Sequence, residues 1–212
     1  VLVWPDVFGL RPAFRQMGRR LAESGYSVLV VNPFYRQKKA PTAPQGGQTP
    51  IAEVLPLMQA LSPAMHLSDG KAFVAWLDAQ PEVDQTRKLG TTGYCMGGPI
   101  AVRTATVAPQ RVGAVATFHG SAMVTTAPDS PHRLVAQTQA HYLIAIAEND
   151  DAKDPQAKAS LRAAFDSVKL PAEVEVYPAA HGWCPPDTRV YDAAQAELAW
   201  TRMLATFRTA LI

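Results

Sequence analysis

The chain has 212 residues, 48% hydrophobic and 18% charged, with 20 basic and 18 acidic side chains and a formal net charge of +2. That composition excludes a disordered chain, and the near-balanced charge leaves no electrostatic footprint for nucleic acid. The two cysteines make no disulfide framework and point to a reducing, cytoplasmic setting, and no apolar run reaches the roughly 18 residues of a membrane span.

Val1 to Pro5 is an apolar run suited to a buried parallel strand, followed by a loop at Asp6-Val7-Phe8-Gly9. Pro12 opens a helix to about Gly25, with Phe14, Met17, Leu21 and Ala22 on one face. Arg11, Arg15 and Arg19 recur at helical spacing and read as a solvated face. Tyr26 to Val31 reads as a second buried strand, and Asn32 to Pro50 as a long loop of the kind that carries function. An amphipathic helix is expected from Ile51 to about Leu61, and another from a cap at Ser68-Asp69 to Gln80. Arg87 to Thr92 is a short strand, and a helix runs from Pro99 to about Val107. Val112 to Phe118, Tyr142 to Ala147 and Ala172 to Tyr177 complete six strands. Helices are expected from Pro155 to about Lys169 and from about Val190 to the end, the latter with Trp200, Met203, Leu204, Phe207 and Leu211 at helical spacing. Strands alternating with helices call for one α/β domain over residues 1–212, with a parallel sheet covered on both faces.

Reactive groups in such a sheet gather beyond the carboxyl ends of the strands, and Asp6, Cys95, His119, Asp150 and His181 all follow predicted strand ends. Between the third strand and its helix lies Gly93-Tyr94-Cys95-Met96-Gly97-Gly98. Strand, Gly-x-nucleophile-x-Gly turn and helix is the layout of a nucleophile elbow, here with a thiol. A neutral thiol is a poor nucleophile and needs a base beside it. The order Cys95, Asp150, His181 is the nucleophile, acid, histidine order of the α/β-hydrolases. In that order His181 is base and then acid, Asp150 orients the imidazole, and the main-chain N–H groups of Met96 and Val7 are candidates for binding an oxyanion. His119 reads either as a pocket residue or as a strand end, and Tyr94 and Trp183 either as pocket walls or as packing. Cys95, His181 and Cys184 lack a fourth ligand and any CxxC or HExxH spacing, so no metal or other cofactor is expected, and Cys184 reads as a packed thiol.

The elbow, with Val7-Phe8-Gly9 before it and Ala180-His181-Gly182-Trp183, Tyr191-Asp192 and Ala199-Trp200-x-Arg202 after it, resembles the dienelactone hydrolase family along nearly the whole chain. The resemblance implies an α/β-hydrolase fold, a Cys-Asp-His triad, hydrolysis of lactones and esters without metal, and further strands ahead of Val1. The family's Gly-x-x-Asp falls on Ala147-Glu148-Asn149-Asp150, which favours Asp150 as the acid over Asp151. Asp6 stands where the family has a glutamate close to the thiol, and Arg36 matches an arginine used for the substrate carboxylate. The family's second arginine, four residues past the histidine, is replaced by Pro185, so a neutral or activated ester is expected at least as much as a dienelactone. The expected partner is a small ester or lactone, with no nucleic acid or membrane, and the chain is expected as a monomer or homodimer. Two alternatives stay open: other electrophiles such as phosphotriesters attacked by the same thiol, and a hydrolase fold kept as a ligand-binding module.

Overall fold

Val1 and Val3 fall in one buried cluster while Leu2 and Trp4 fall in another, because successive side chains of a strand point to opposite faces. In the computed structural model, which describes residues 1–212, this first strand lies inside a six-stranded sheet. The strands are β1 (Leu2–Trp4), β2 (Leu29–Val30), β3 (Leu89–Tyr94), β4 (Val112–Phe118), β5 (His141–Ala147) and β6 (Ala172–Tyr177). Their order is β2-β1-β3-β4-β5-β6, and every pairing is parallel.

Eight helices flank the sheet: α1 (Pro12–Glu23), α2 (Ile51–Gln59), α3 (Pro63–Asp78), α4 (Gly97–Val107), α5 (Pro131–Leu134), α6 (Glu148–Lys153), α7 (Pro155–Val168) and α8 (Ala193–Ala210). One face is covered by α1 and α8 through Phe14, Leu21, Met203 and Phe207. The other is covered by α3, α4 and α7 through Val74, Leu77, Ile100, Val102, Leu161 and Phe165. No helix is long and apolar enough to cross a membrane.

Three elements differ from the sequence reading. The second strand shrinks to Leu29–Val30 and is only half-buried, since it is the sheet edge and pairs with β1 alone. α3 begins at Pro63 rather than at Ser68, because Ser62 caps it by accepting the Met65 N–H at 3.2 Å and Pro63 sits in its first turn. Asp69 therefore lies within the helix and is buried. The segment after β5 forms the short helix α6.

The strand order reverses at β1, which has β2 on one side and β3 on the other. An open parallel sheet accepts ligands in the crevice beyond such a switch point. Asp6 follows β1 there and Cys95 follows β3.

Candidate active site

Cys95 has φ +52°, a left-handed conformation that a side chain rarely adopts. The turn that holds it has no room for other residues at its glycines. A Cβ on Gly93 would fall 2.0 Å from the Gly97 carbonyl oxygen, and one on Gly97 would fall 2.4 Å from that of Trp4. The glycines thus let α4 start directly against the ends of β3 and β1. The thiol is partly exposed, and its Sγ lies 3.5 Å from Ser121 Oγ.

His181 and Asp150 come to this thiol from the ends of β6 and β5. The His181 Nδ1–H donates to Asp150 Oδ2 at 2.5 Å, and the His181 main-chain N–H donates to Asn149 Oδ1 at 2.8 Å. Both anchors lie in the first turn of α6. Asp151 makes no such bond, and its Oδ1 is buried without a partner. Burial by itself disfavours the imidazolium, yet the hydrogen-bonded Asp150 carboxylate and the neighbouring Cys95 sulfur outweigh it and raise the His181 pKa from 6.5 to about 10.

Across from the thiol, the loop after β1 is shaped by Asp6. Its Oδ1 accepts the Phe8 N–H at 2.9 Å, and its main-chain oxygen accepts the Gly9 N–H at 2.9 Å. This turn leaves the Val7 N–H without a protein acceptor, and the Met96 N–H at the start of α4 is likewise free. Both residues are buried. Unpaired buried N–H groups are rare, and two of them in residues flanking the thiol's cleft have the chemistry to bind negative charge.

Asp6, which stands where the family has a glutamate, is held by a cation. Both its carboxylate oxygens are taken by Arg11, at 2.6 and 3.0 Å. Arg11 is fully buried, contrary to the solvated face expected for it. Its remaining N–H groups bind Asp187 at 2.7 and 2.9 Å, and Asp187 also accepts the Gly47 N–H at 3.2 Å. Burial opposes the charge on Arg11, but the two carboxylates more than offset it and hold the guanidinium protonated. One cation therefore ties together the loop after β1, the turn at Gly46–Gln48 and the loop that carries His181. Sequence reasoning missed this, because the partners are 5 and 176 residues away in the chain.

The crevice is a cleft of about 290 Å³ lined by Asp6, Val7, Phe8, Ile51, Cys95, His119, His181 and Val190, with Arg189 among them. His119 is fully buried, with φ +41° and both ring nitrogens unpartnered, and its ring centroid is 5.0 Å from that of His181. Burial lowers its pKa well below the usual histidine value, so it is neutral. Arg189 donates to Gln48 Oε1 at 2.8 Å; its only sequence signal is its place on the loop after His181. Arg36 does not line the cleft. It forms a two-pronged ion pair with Asp69 at 2.6 and 2.7 Å, a partner that the sequence reading had assigned to a helix cap. Tyr94 and Trp183 are core residues outside the cleft: Tyr94 stacks on Phe118 at 5.1 Å and Trp183 on Tyr177 at 5.3 Å. Cys184 is buried in the core cluster beneath Trp183, where burial pushes its thiol pKa up.

Residues 1–211 match the sequence profile of the Dienelactone hydrolase family. The "putative carboxymethylenebutenolidase" of Synechocystis is 28% identical across 100% of this chain and 86% of that protein. Its namesake in Escherichia coli K12 is 27% identical across 98% of this chain and 76% of that protein. The crystal structure of a "putative dienelactone hydrolase" from Klebsiella pneumoniae superposes with a TM-score of 0.82 at 25% identity, covering 98% of this chain and 85% of that one. A dienelactone hydrolase-like promiscuous phosphotriesterase from metagenomic libraries shares the fold, with a TM-score of 0.83 at 24% identity over 100% of this chain and 86% of that one. The α/β-hydrolase fold and a hydrolase activity follow from these likenesses.

Proposed function

The chain belongs to the dienelactone hydrolase family, and we propose that it cleaves a small lactone or activated carboxylic ester through a thioester on Cys95. The observation that carries this reading is the His181 imidazole, held at 2.5 Å by Asp150 Oδ2 in the cleft that Cys95 also lines.

The chemistry divides into two half-reactions. His181, whose raised pKa of about 10 lets it hold the proton given up by Cys95 before substrate arrives, faces the thiolate, which attacks the carbonyl carbon while the oxygen takes the electron pair as an oxyanion. The Val7 and Met96 N–H groups bind that oxyanion. When it collapses, the carbon–oxygen bond breaks, and the imidazolium gives its proton to the leaving alkoxide. Asp150 stabilises the imidazolium and fixes the tautomer, so that the ring nitrogen facing the thiol is the one that exchanges protons. Water then adds to the thioester with His181 as base, and the thiolate leaves. In a lactone, the alcohol and acid remain joined in one hydroxy acid.

The cleft favours small substrates. Its walls are mainly apolar and its volume is about 290 Å³. Arg36 is committed to Asp69, so a substrate carboxylate would have to displace that buried partner. A neutral or activated ester meets no such obstacle. The test is turnover of para-nitrophenyl acetate and of a small lactone panel. Cys95→Ala should lower kcat by about a thousandfold or more while the fold is retained. Equal turnover in that variant contradicts the mechanism, and no turnover by the native protein across the panel contradicts the activity.

A further inference from the structure

Two strained turns meet at Cys95. The elbow holds Cys95 at φ +52°, and the turn after β4 holds His119 at φ +41° and Ala122 at φ +52°. Left-handed conformations of residues with side chains are costly and collect at functional sites. Main-chain hydrogen bonds join the two turns at both ends of the nucleophile's residue. The Cys95 N–H donates to the Phe118 carbonyl at 3.0 Å, and the Ser121 N–H donates to the Cys95 carbonyl at 3.1 Å. Bare glycine lets the turns touch, since a Cβ on Gly98 would fall 2.8 Å from Gly120 Cα.

This junction places the Ser121 hydroxyl 3.5 Å from Cys95 Sγ, and the hydroxyl makes no other hydrogen bond within the chain. Ser121 is not among the residues that line the cleft, so the contact takes no room from a substrate there. Either group of such a pair is able to donate. The proton decides between them. His181, with its pKa raised to about 10, holds the proton that Cys95 gives up in the proposed mechanism. A thiolate has no proton left to donate, so the donor is the Ser121 O–H. A hydrogen bond to the charged form of a group favours that form.

Resting on the ester hydrolysis proposed above, we propose that Ser121 is a further catalytic residue: its O–H donates to the Cys95 thiolate and holds it charged and in place before substrate arrives. The other titratable and charged groups about the sulfur come from several elements. Asp6, paired with Arg11, lies in the loop after β1, and His119 follows β4. His181 has Asp150 behind it, with Lys153 at 3.9 Å from that carboxylate, and Arg189 lines the cleft beyond. His119 is buried and neutral. Removing a neutral hydroxyl alters none of these charges, so a change in the pH at which the thiolate forms reads the Ser121 hydrogen bond itself.

The experiment follows alkylation of Cys95 by iodoacetamide against pH, with mass spectrometry separating its peptide from that of buried Cys184. Alkylation needs the thiolate but no ester turnover. In Ser121→Ala and in Ser121→Gly the half-point should rise by about one pH unit, the scale of a hydrogen bond to a charged group. Ser121→Thr, which keeps the hydroxyl, should stay within about 0.3 pH unit of native. An unmoved half-point in the two variants without a hydroxyl overturns the proposal. A lowered one does so too, since it would make the thiol the donor, and so does a Ser121→Thr half-point equal to that of Ser121→Ala. The kcat/KM for para-nitrophenyl acetate should follow the thiolate. One pH unit below the native half-point, Ser121→Ala should be about tenfold slower, and well above both half-points the two should agree within about threefold. A uniform loss at every pH is what a merely structural role would give, and it overturns the proposal. Absence of ester turnover by the native protein defeats the proposed function, whereas an unmoved half-point in a protein that does turn over the ester defeats the role of Ser121 alone.

Discussion

Asp150 and Asp151 are adjacent carboxylates with different surroundings. One accepts the His181 Nδ1–H at 2.5 Å, and the other has a buried oxygen with no partner. Asp150→Asn should lower kcat on an aryl ester by at least about a hundredfold, since an amide no longer fixes the imidazole tautomer or stabilises its charge. Asp151→Asn should stay within about twofold on the same assay, because that side chain touches neither His181 nor Cys95. Equal losses would contradict the assignment. The sequence alone ranked the two through a family pattern, whereas Cys95 and His181 were legible from their places beyond strand ends. Other residue roles were hidden, because each depends on a partner distant in the chain. Arg36 was read as a substrate anchor until Asp69 took it, and Arg11 as a solvated residue until Asp6 and Asp187 enclosed it.

At the scale of elements, the elbow and the loop clamp do different work. The elbow stores local strain at Cys95 and needs bare glycine where α4 meets β3. Gly93→Ala should lower the unfolding free energy by about 2 kcal/mol or more, because backbone rather than a movable side chain lies in the way. Urea denaturation measures this, and a loss below about 0.5 kcal/mol would contradict the packing described. The clamp is the Asp6–Arg11–Asp187 network, which binds three loops around the cleft. Arg11→Met leaves two carboxylates without their cation and should cost about 3–5 kcal/mol. Periodicity found α1, α4, α7 and α8 close to their observed limits, since each has one buried stripe. It misplaced the start of α3 because the cap was assigned to Ser68-Asp69, whereas Ser62, which precedes a proline at the first helical position, supplies it. It overextended β2 because an apolar run does not reveal that a strand lies at the sheet edge.

On the scale of the whole molecule, the site is a product of strand order. The reversal at β1 opens a crevice between two strand ends, and the loops after β5 and β6 bring the acid and the histidine to it. The same arrangement couples His181 to global stability. Its pKa is 6.5 when unperturbed and about 10 in the fold, so its contribution is fully present below pH 6.5 and is lost as pH rises through 10. Across that window the native state holds a proton that the unfolded chain releases, and stability falls by at most about 1.4 kcal/mol per pH unit. Urea midpoints of the native protein should decline over this range more steeply than those of His181→Gln, and parallel declines would contradict the coupling. The central claim is that Cys95 carries the acyl group. Rapid-quench mass spectrometry of the native protein mixed with excess para-nitrophenyl acetate tests it directly. The account predicts one acetyl group, appearing transiently on the peptide that contains Cys95. Release of nitrophenol with no acetyl on that peptide, or with acetyl on Ser121 instead, would contradict it.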